Sequence, residues 1–254
     1  MKGGSILIYL KTPEEIKKMK EAGAILADCH KQIAKLIKPG ITTTDINTFA
    51  ENFILERGAI PEQKGYHGYP YATCASVNDV ICHGFPSNTP LQKGDIVTID
   101  MVVNLNGWLA DSAWSYAVGD ISPDAENLLK TTEEALYVGI SKALIGNRVG
   151  DISHAIQKYA ESKGYSVVRD FVGHAIGKEM HELPHIPHYG PPNVGTVLKE
   201  GMVITIEPML NIGTYHAKVD LDGWTARTVD GSLSAQYEHT IAITANGPEV
   251  LTKQ

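Results

Sequence analysis

The sequence is poor in cysteine, in positive charge and in long apolar segments. Its three cysteines, Cys29, Cys74 and Cys82, form no CxxC pair and cannot all pair with one another, which favours a reducing compartment. Lysine and arginine number 22 against 29 aspartates and glutamates, and the net charge of −7 argues against a nucleic-acid partner. No apolar run approaches the roughly 20 residues of a membrane helix, and Ile6–Leu10 is too short for a signal-peptide core. We therefore expect a cytoplasmic protein that binds neither nucleic acid nor membrane.

Two segments of the sequence repeat each other, and each ends on an acidic residue. Leu91–Asp100 reads LQKGDIVTID and Leu198–Glu207 reads LKEGMVITIE, at an offset of 107. A second repeat joins the turns Gly40–Asp45 and Gly146–Asp151, at an offset of 106. One match between apolar strands arises easily by chance, but two distant matches in the same order indicate an internal duplication.

Hydrophobic periodicity predicts two helices followed by strands, and then the same order again. Capping residues and prolines mark the starts of the helices, and glycines mark their ends. The predicted helices run from Thr12-Pro13 to Pro39-Gly40, from about Asp45 to Arg57, from Ser122-Pro123 through Leu144, and from Asp151 to Gly164. No low-complexity linker separates the halves. We predict one α/β (α+β) domain, residues 1–254, whose pseudo-symmetric halves, about 11–120 and 121–250, share one sheet and one cleft.

Acidic residues end the predicted strands. The β-branched runs before Asp100 and Glu207 place each acid at the end of an apolar strand. Asn104–Gly107 carries the Asn-Gly signal of a hairpin turn, which would bring Asp111 back beside Asp100. A surface hairpin with solvated acids is the alternative, but the neighbours of Asp111 are largely apolar. Because buried acids are costly unless something positive neutralises them, acids in equivalent places suggest a shared cation.

Histidines supply further candidates. His174 lies between Gly173 and Gly177 in an apolar run, where the backbone can approach closely. A lone histidine in such a run is more often a core residue, but the acids, with Glu238 among them, favour a ligand. His181 and His83 are candidates in nearby segments. His185 and His188 lie in a proline-rich loop, and we expect them to be structural.

Seven motifs closely resemble those of the type I methionine aminopeptidases. They are Tyr66–Pro70 (YHGYP), Ser76–Asp79 (SVND), Cys82–Gly84 (CHG), Asp95–Asp100 (DIVTID), Gly173–Gly177 (GHAIG), Thr205–Met209 (TIEPM) and Ser232–Thr240 (SLSAQYEHT). The resemblance extends from about Lys11 to the C-terminus. It implies the "pita-bread" fold, an antiparallel sheet covered by two pairs of helices with pseudo-two-fold symmetry. The short, bacterial-style form is implied, since we see neither a zinc-binding extension nor a long helical insertion.

The same resemblance implies a dinuclear metal site. Asp111 and Glu238 would bridge two divalent ions, Asp100 would chelate one, and His174 with Glu207 would hold the other. Oxygen ligands with one imidazole suit manganese, iron, cobalt or zinc without selecting sharply among them. Paired ions about 4 Å apart lower the pKa of a shared water toward roughly 7.

Catalytic roles are also implied by the resemblance. Glu207 would move protons between the nucleophile and the leaving amine. His181 would hydrogen-bond the scissile carbonyl, and His83 would contact the substrate backbone and assist the leaving group.

A pocket for the methionine side chain is implied as well. By resemblance its walls are Tyr66, Tyr69, Cys74, Met180, His83 and Trp224. Aromatic and sulfur-bearing walls suit a thioether, although each residue could be ordinary core, and for Met180 alone core is favoured. Three positions depart from the family pattern: Met180 replaces an aromatic residue, Gln63 replaces a cysteine of some members, and Ala110 replaces a glycine. We expect a wider or more adaptable pocket and an intact ligand at Asp111.

The family also implies a monovalent-cation site on the backbone carbonyls of Asn78, Val80 and Ser234. The implied partners are the N-termini of nascent polypeptides, met by a monomer near the ribosome.

Three functions remain open at this stage. The first is a methionine aminopeptidase that requires a small second residue. The second is a prolidase or aminopeptidase P, but those enzymes usually carry an additional N-terminal domain. The third is a metal-free peptide or ribosome adaptor on the same scaffold, but such proteins typically lose ligands, and all five are present here.

Overall fold

The helices begin where the sequence supplies a cap. In the computed structural model, which describes residues 8–254, the helices are α1 (Pro13–Leu36), α2 (Thr43–Leu55), α3 (Pro123–Ile140) and α4 (Val149–Ser162). Ile6 and Leu7, which open the apolar stretch considered above, lie outside the described range. Within residues 8–254, no helix has the length and apolarity needed to cross a bilayer.

Helix boundaries predicted for α2, α3 and α4 differ from the structure by two to four residues. Thr42 is the cap of α2, and Asp45 completes the capping box from inside the first turn, so the helix starts at Thr43. Asp151 has the same position in α4, which starts at Val149. Helix α3 ends at Ile140, and Leu144 lies beyond it with 42% of its surface exposed. An acid near a helix start thus marked the third position of the helix, not the first.

Fifteen strands are present within residues 8–254. They are β1 (Ile60–Pro61), β2 (Cys74–Val77), β3 (Val80–Cys82), β4 (Ile96–Leu105), β5 (Trp108–Ala117), β6 (Ser166–Val167), β7 (Gly173–Ala175), β8 (Glu182–Ile186), β9 (Val203–Ile206), β10 (Met209–Asn211), β11 (Ala217–Val219), β12 (Ala226–Thr228), β13 (Ser234–Gln236), β14 (His239–Thr244) and β15 (Gly247–Val250).

The described strands pair antiparallel, as predicted, but they form four hydrogen-bonded sheets where the sequence led us to expect one shared sheet. The first sheet has the order β1-β4-β2, with β5 also on β4, and the largest has the order β15-β14-β9-β7-β8. Two three-stranded sheets, β13-β10-β6 and β11-β12-β3, complete the set. Bonds outside the ladders join the halves: the Glu238 N–H donates to the Ala113 carbonyl, and the Thr240 hydroxyl donates to the Asp111 carbonyl, both at 2.8 Å.

The two halves repeat the same local contacts. An isolated bridge joins Thr42 to Pro90 in the first half and Arg148 to Val197 in the second. The Gly40 N–H donates to the Leu91 carbonyl at 2.8 Å, and Gly146 makes the equivalent bond to Leu198 at 3.0 Å. The repeated sequence segments therefore occupy equivalent positions.

Helices cover one face of the central strands. Ile99 of β4 packs with Ile33 and Ile46, from α1 and α2. Ile206 of β9 packs with Leu136 and Ile156, from α3 and α4. Since neighbouring side chains on a strand alternate in direction, the acids that follow these isoleucines lie on the face away from the helices.

Candidate metal centre and substrate pocket

A tight hairpin brings the first two acids together, as predicted. Asn106 and Gly107 have φ of 54° and 84°, which fits a two-residue turn between β4 and β5. The register pairs Asp100 with Ala113 and Val102 with Asp111. Asp100 and Asp111 are thus diagonal neighbours on one face of the hairpin.

A threonine links the second-half ligands. The His174 N–H donates to Thr205 Oγ1 at 3.0 Å, and Thr205 Oγ1 donates to Glu207 Oε1 at 2.8 Å. A Cβ on Gly173 would lie 2.7 Å from the Thr205 carbonyl oxygen, so only glycine allows β7 to approach β9 this closely. Glu207 directly follows β9, and Glu238 directly precedes β14.

The structure groups three of the five predicted ligands, places Glu207 next to His174 and has Asp100 in the wall of the same cavity. Asp111, His174 and Glu238 offer ligand atoms that lie within 4.8 Å of one another. His174 Nε2 lies 3.6 Å from Asp111 Oδ2 and 3.7 Å from Glu207 Oε1. His174 Nδ1 lies 3.1 Å from the Ala175 carbonyl, so this nitrogen carries the proton and the Nε2 lone pair faces the acids.

Burial shifts the pKa of all five predicted ligands. Burial raises the pKa of Asp100 to about 7 and that of Glu207 to about 8. Burial, with the neighbouring carboxylates, raises the pKa of Asp111 and Glu238 well above the ordinary values. Burial, with His181 nearby, lowers the pKa of His174 to about 3, so this ring stays neutral.

The donor set therefore fits divalent cations. Asp111 Oδ1 and Glu238 Oε1 are buried without a hydrogen-bond partner. Among residues 8–254, no lysine or arginine forms a salt bridge with the four acids. Carboxylate oxygens with one neutral imidazole are ligands that divalent first-row metals accept.

One cavity contains all twelve predicted site residues. The ligands lie along its wall with the predicted catalytic and pocket residues: Tyr66, Tyr69, Cys74, His83, Met180, His181 and Trp224. Gln63, Cys82, Val102, Phe171, Val172, Met209 and Gln236 also line it. The geometry brings these residues together, and their roles remain predictions.

His181 lines the cavity next to His174. Its ring lies edge-on to His174, with ring centroids 4.3 Å apart, and its Nδ1 lies 2.7 Å from the Tyr66 hydroxyl. Burial lowers the pKa of His181. The following residue, Glu182, forms a buried ion pair with Lys11 and fixes this segment.

His83 has an unusual backbone conformation. Its φ of 57° lies in the left-handed region, which a residue other than glycine adopts at some cost and often at functional sites. The ring lies 5.4 Å from Phe171 and 6.3 Å from Trp224, between centroids. Burial lowers the pKa of His83 to about 4, so the ring is neutral near pH 7 and retains one N–H donor.

Aromatic and sulfur-bearing residues form the pocket wall. The Tyr69 and Trp224 ring centroids are 5.1 Å apart in an edge-on arrangement, and Gln63 Nε2 lies 2.9 Å from Cys74 Sγ. Met180 is 5% exposed and packs in a core cluster with Val102 as well as facing the cavity. Met180 thus serves the core and the pocket wall together.

Sequence reasoning missed the residues that orient the ligands. Thr240 accepts the Asp111 N–H at 2.9 Å, and Gln236 Nε2 lies 3.4 Å from Glu207 Oε2. His188 is fully buried and its Nε2 accepts the Glu207 N–H at 3.1 Å, in line with a structural role.

His185 lies in β8 opposite His174, so its placement in a loop was wrong. Of the residues that orient the ligands, only Thr205 had a signal in the sequence, because the two repeated segments carry a threonine at the same place.

Acids and one imidazole, buried at the foot of a cavity between antiparallel strands, are the donor set of a protein that binds divalent metal. The model of metallopeptidase family M24 matches residues 17–245, and the chain belongs to this family.

Individual relatives agree with this assignment. The chain is 51% identical to "Methionine aminopeptidase 1" of Bacillus subtilis (strain 168) over 247 residues, 97% of this chain and 100% of the relative. A crystal structure of methionine aminopeptidase from Rickettsia prowazekii superimposes with a TM-score of 0.96 at 44% identity, covering 97% of this chain and 100% of that one. Prolidase from Pyrococcus furiosus reaches a TM-score of 0.75 at 25% identity, covering 96% of this chain and 65% of that one. The predicted pita-bread fold and family are confirmed.

Proposed function

We propose that the protein is a metal-dependent methionine aminopeptidase, which removes the N-terminal methionine of proteins and peptides whose second residue is small. The observation that carries the proposal is the buried cluster of acids with His174 at the foot of a cavity with aromatic and sulfur-bearing walls. Names of relatives at 51% and 49% identity over 97% of the chain support the same activity. The prolidase likeness, at 25% identity, is more distant.

The proposed ligands would hold two divalent ions, with manganese, iron, cobalt and zinc as the candidates. Asp111 and Glu238 have the unpartnered buried oxygens expected of bridging ligands. Asp100 would complete one ion's ligands, and His174 with Glu207 the other's. When bound, the ions would neutralise the acids, anchor the free N-terminal amine and supply a water of lowered pKa.

Glu207 is the proposed proton carrier. Its Oε1 accepts the Thr205 hydroxyl and its Oε2 lies toward Gln236, so the carboxyl group is held in one orientation. In the chain without ions, burial raises the pKa of Glu207 to about 8. Bound ions would oppose this shift and keep the carboxylate ionised, so that it could accept a proton and pass it on.

Two neutral histidines would bind the substrate. If the Tyr66 hydroxyl donates to His181 Nδ1, the other ring nitrogen of His181 carries a proton and can donate it to the scissile carbonyl. His83, held by its left-handed backbone, would donate to the peptide backbone and assist the leaving amine.

Other features of the proposal follow the family. The monovalent-cation site would use Asn78, Val80 and Ser234, of which Ser234 Oγ is buried without a partner. The Asn78 carbonyl accepts the Ser234 N–H at 2.9 Å, so these residues lie together.

We propose that the chain acts as one domain, as a cytoplasmic monomer, on nascent N-termini near the ribosome.

Peptide hydrolysis separates the candidate functions. Metal-free protein would be supplied in turn with manganese, iron, cobalt and zinc, and assayed on Met-Ala-Ser and on Ala-Pro peptides. Metal-dependent release of methionine from Met-Ala-Ser supports the proposal. Preferred cleavage before proline would identify a prolidase-type enzyme, and a protein that neither binds metal nor cleaves would identify an adaptor.

A further inference from the structure

A buried ion pair lies at the end of the loop that carries His181. Lys11 and Glu182, whose side chains are 4% and 9% exposed, meet with Nζ and Oε2 2.5 Å apart. Glu182 begins β8, and the residues before it, 177–181, form neither helix nor strand; we call them the His181 loop. Neither member of the pair lines the cavity that contains the metal ligands, so the ion pair itself has no direct contact with the proposed chemistry.

Stability alone does not account for this pair. Taking two charges out of water is costly, and an apolar pair of similar volume often stabilises a protein as well or better. The Glu182 carboxylate has a further partner, because its Oε1 accepts the Lys178 N–H at 3.2 Å. One carboxylate therefore closes the His181 loop across its ends and joins it to Lys11, 171 residues away in the chain.

The pair connects the His181 loop to the frame that carries the metal ligands. The Lys11 N–H donates to the Gly201 carbonyl at 2.7 Å, in the turn that precedes β9 and Glu207. A Cβ on Gly177 would lie 2.5 Å from Glu182 Oε1 and 2.6 Å from Lys11 Cε, so both side chains pack directly against the start of the loop. A change at Lys11 is thus transmitted to the loop through close contacts.

The position of His181 depends on these anchors. His181 is itself exposed to solvent, so burial alone does not hold its ring, and the Tyr66 hydroxyl at 2.7 Å belongs to a separate short turn. The residues on either side are fixed: Met180 is 5% exposed and packs in a core cluster, and Glu182 is held by Lys11. The backbone between these two anchors places the His181 ring next to that of His174.

We propose that Lys11 and Glu182 are positioning residues, which hold His181 where it can donate a hydrogen bond to the scissile carbonyl. This inference rests on the proposed function for the role of His181. Without the Lys11 charge, the Glu182 carboxylate would be buried and unpaired, and it would turn toward water. The His181 loop would move with it, and a shift of about 1 Å in such a donor can cost on the order of 100-fold in rate.

A double-mutant cycle tests the inference. Lys11→Met removes the charge and keeps an unbranched side chain. We would measure kcat, KM and metal content with Met-Ala-Ser for this variant, for His181→Ala and for the two combined, all saturated with manganese. Lys20→Met is the matched control, because it removes the lysine of an exposed ion pair with Glu249.

We expect Lys11→Met to lower kcat by on the order of 10-fold, with KM and metal content within about twofold, and Lys20→Met to leave all three unchanged. In the His181→Ala background, Lys11→Met should change kcat by less than about twofold, because the pair acts only through His181. Losses that multiply in the combined variant would overturn the inference, and so would a normal kcat in Lys11→Met.

A neutral pair keeps the test open if Lys11→Met folds poorly. Lys11→Met/Glu182→Gln leaves no unpaired charge, and its amide oxygen can still accept the Lys178 N–H. It loses the bond to Lys11, so its kcat should also fall, and the fall should again disappear in the His181→Ala background. The same two contrary results would overturn the inference.

A measurement of motion separates this inference from the proposed function. If no peptide is cleaved, the proposed function fails, but NMR relaxation of the His181 backbone amide still reports on the ion pair. In the zinc-saturated protein its order parameter should be near the rigid value of about 0.85, and it should fall below about 0.6 in Lys11→Met but not in Lys20→Met. An equally rigid His181 amide in Lys11→Met would refute the inference.

Discussion

Removing the divalent ions should make the stability of the protein fall as the pH rises through neutrality. In the folded chain without ions, burial raises the pKa of Glu207 from 4.5 to about 8 and that of Asp100 from 3.8 to about 7. Burial, with the neighbouring carboxylates, also raises the pKa of Asp111 and of Glu238 well above the ordinary values. In the unfolded chain all four acids are ionised above about pH 6. The folded state therefore binds more protons, and its stability is lost as these groups are forced to ionise.

The magnitude follows from proton counting. At about pH 7.5, a group with the pKa of Glu207 keeps roughly three-quarters of a proton in the folded state and almost none in the unfolded state. Glu207 alone then lowers the free energy of unfolding by about 1 kcal/mol per pH unit, and the other three acids add to this slope. The buried histidines have the opposite effect, but mainly below 6.5, their ordinary pKa. The buried thiols contribute mainly nearer 9.0, the ordinary value for cysteine.

Urea denaturation between about pH 7 and about pH 8 measures this slope where the acids dominate. The chelated protein would be compared with protein saturated with manganese, in which the acids stay ionised and the slope should nearly vanish. Histidines and thiols contribute to the slope of both forms, so their contribution cancels in the difference between the two slopes. Glu238→Gln in the chelated protein is the matched variant, and its slope should be shallower. A chelated protein whose stability is flat or increases over this range would refute the argument.

Four further outcomes are expected. Asp111→Asn should lower kcat by at least about 100-fold and weaken the binding of the second ion while the circular dichroism stays unchanged; near-normal turnover would contradict the bridging role. His181→Ala should lower kcat by on the order of 100-fold with little change in metal content, and equal losses of both would show that its role is different. Gly173→Ala should lower the free energy of unfolding, measured by urea denaturation, by about 1–3 kcal/mol and weaken metal binding, because the new Cβ meets the Thr205 carbonyl oxygen at 2.7 Å. An unchanged stability and metal affinity would show that the close approach of the two strands does not require glycine. Burial lowers the pKa of His30 from 6.5 to about 4, so the folded state resists protonation and loses about 3 kcal/mol of stability as the pH falls between these values. His30→Gln should remove that loss. An unchanged dependence of stability on acid pH in this variant would argue against the assignment.

Local signals in the sequence were sufficient for much of the site. The Asn106-Gly107 turn determines the hairpin register, and that register alone places Asp111 diagonally beside Asp100. The isoleucine before each strand-terminal acid packs under helices, which puts the acids on the opposite face. Strand periodicity and turn chemistry act over a few residues, so they can be seen in a sequence.

Other features depend on contacts between distant segments, which no local pattern records. Thr240 holds Asp111 from 129 residues away, and His188 accepts the Glu207 N–H from 19 residues away. The division of the strands into four sheets likewise depends on how the halves meet. Helix starts were misplaced because an acid inside a capping box lies three residues past the cap, as Asp45 does.

The site lies where the two halves of the chain meet, and this explains why the acids can be buried. Asp100 and Asp111 come from the first half, whereas His174, Glu207 and Glu238 come from the second. The direct bonds across this junction include the Glu238 N–H to the Ala113 carbonyl and the pair between Thr240 and Asp111. Because the acids come from both halves, their mutual repulsion when ionised acts against the contact between the halves. Cations shared by ligands from both halves would reverse that repulsion, so metal binding and the joining of the halves should be one coupled equilibrium.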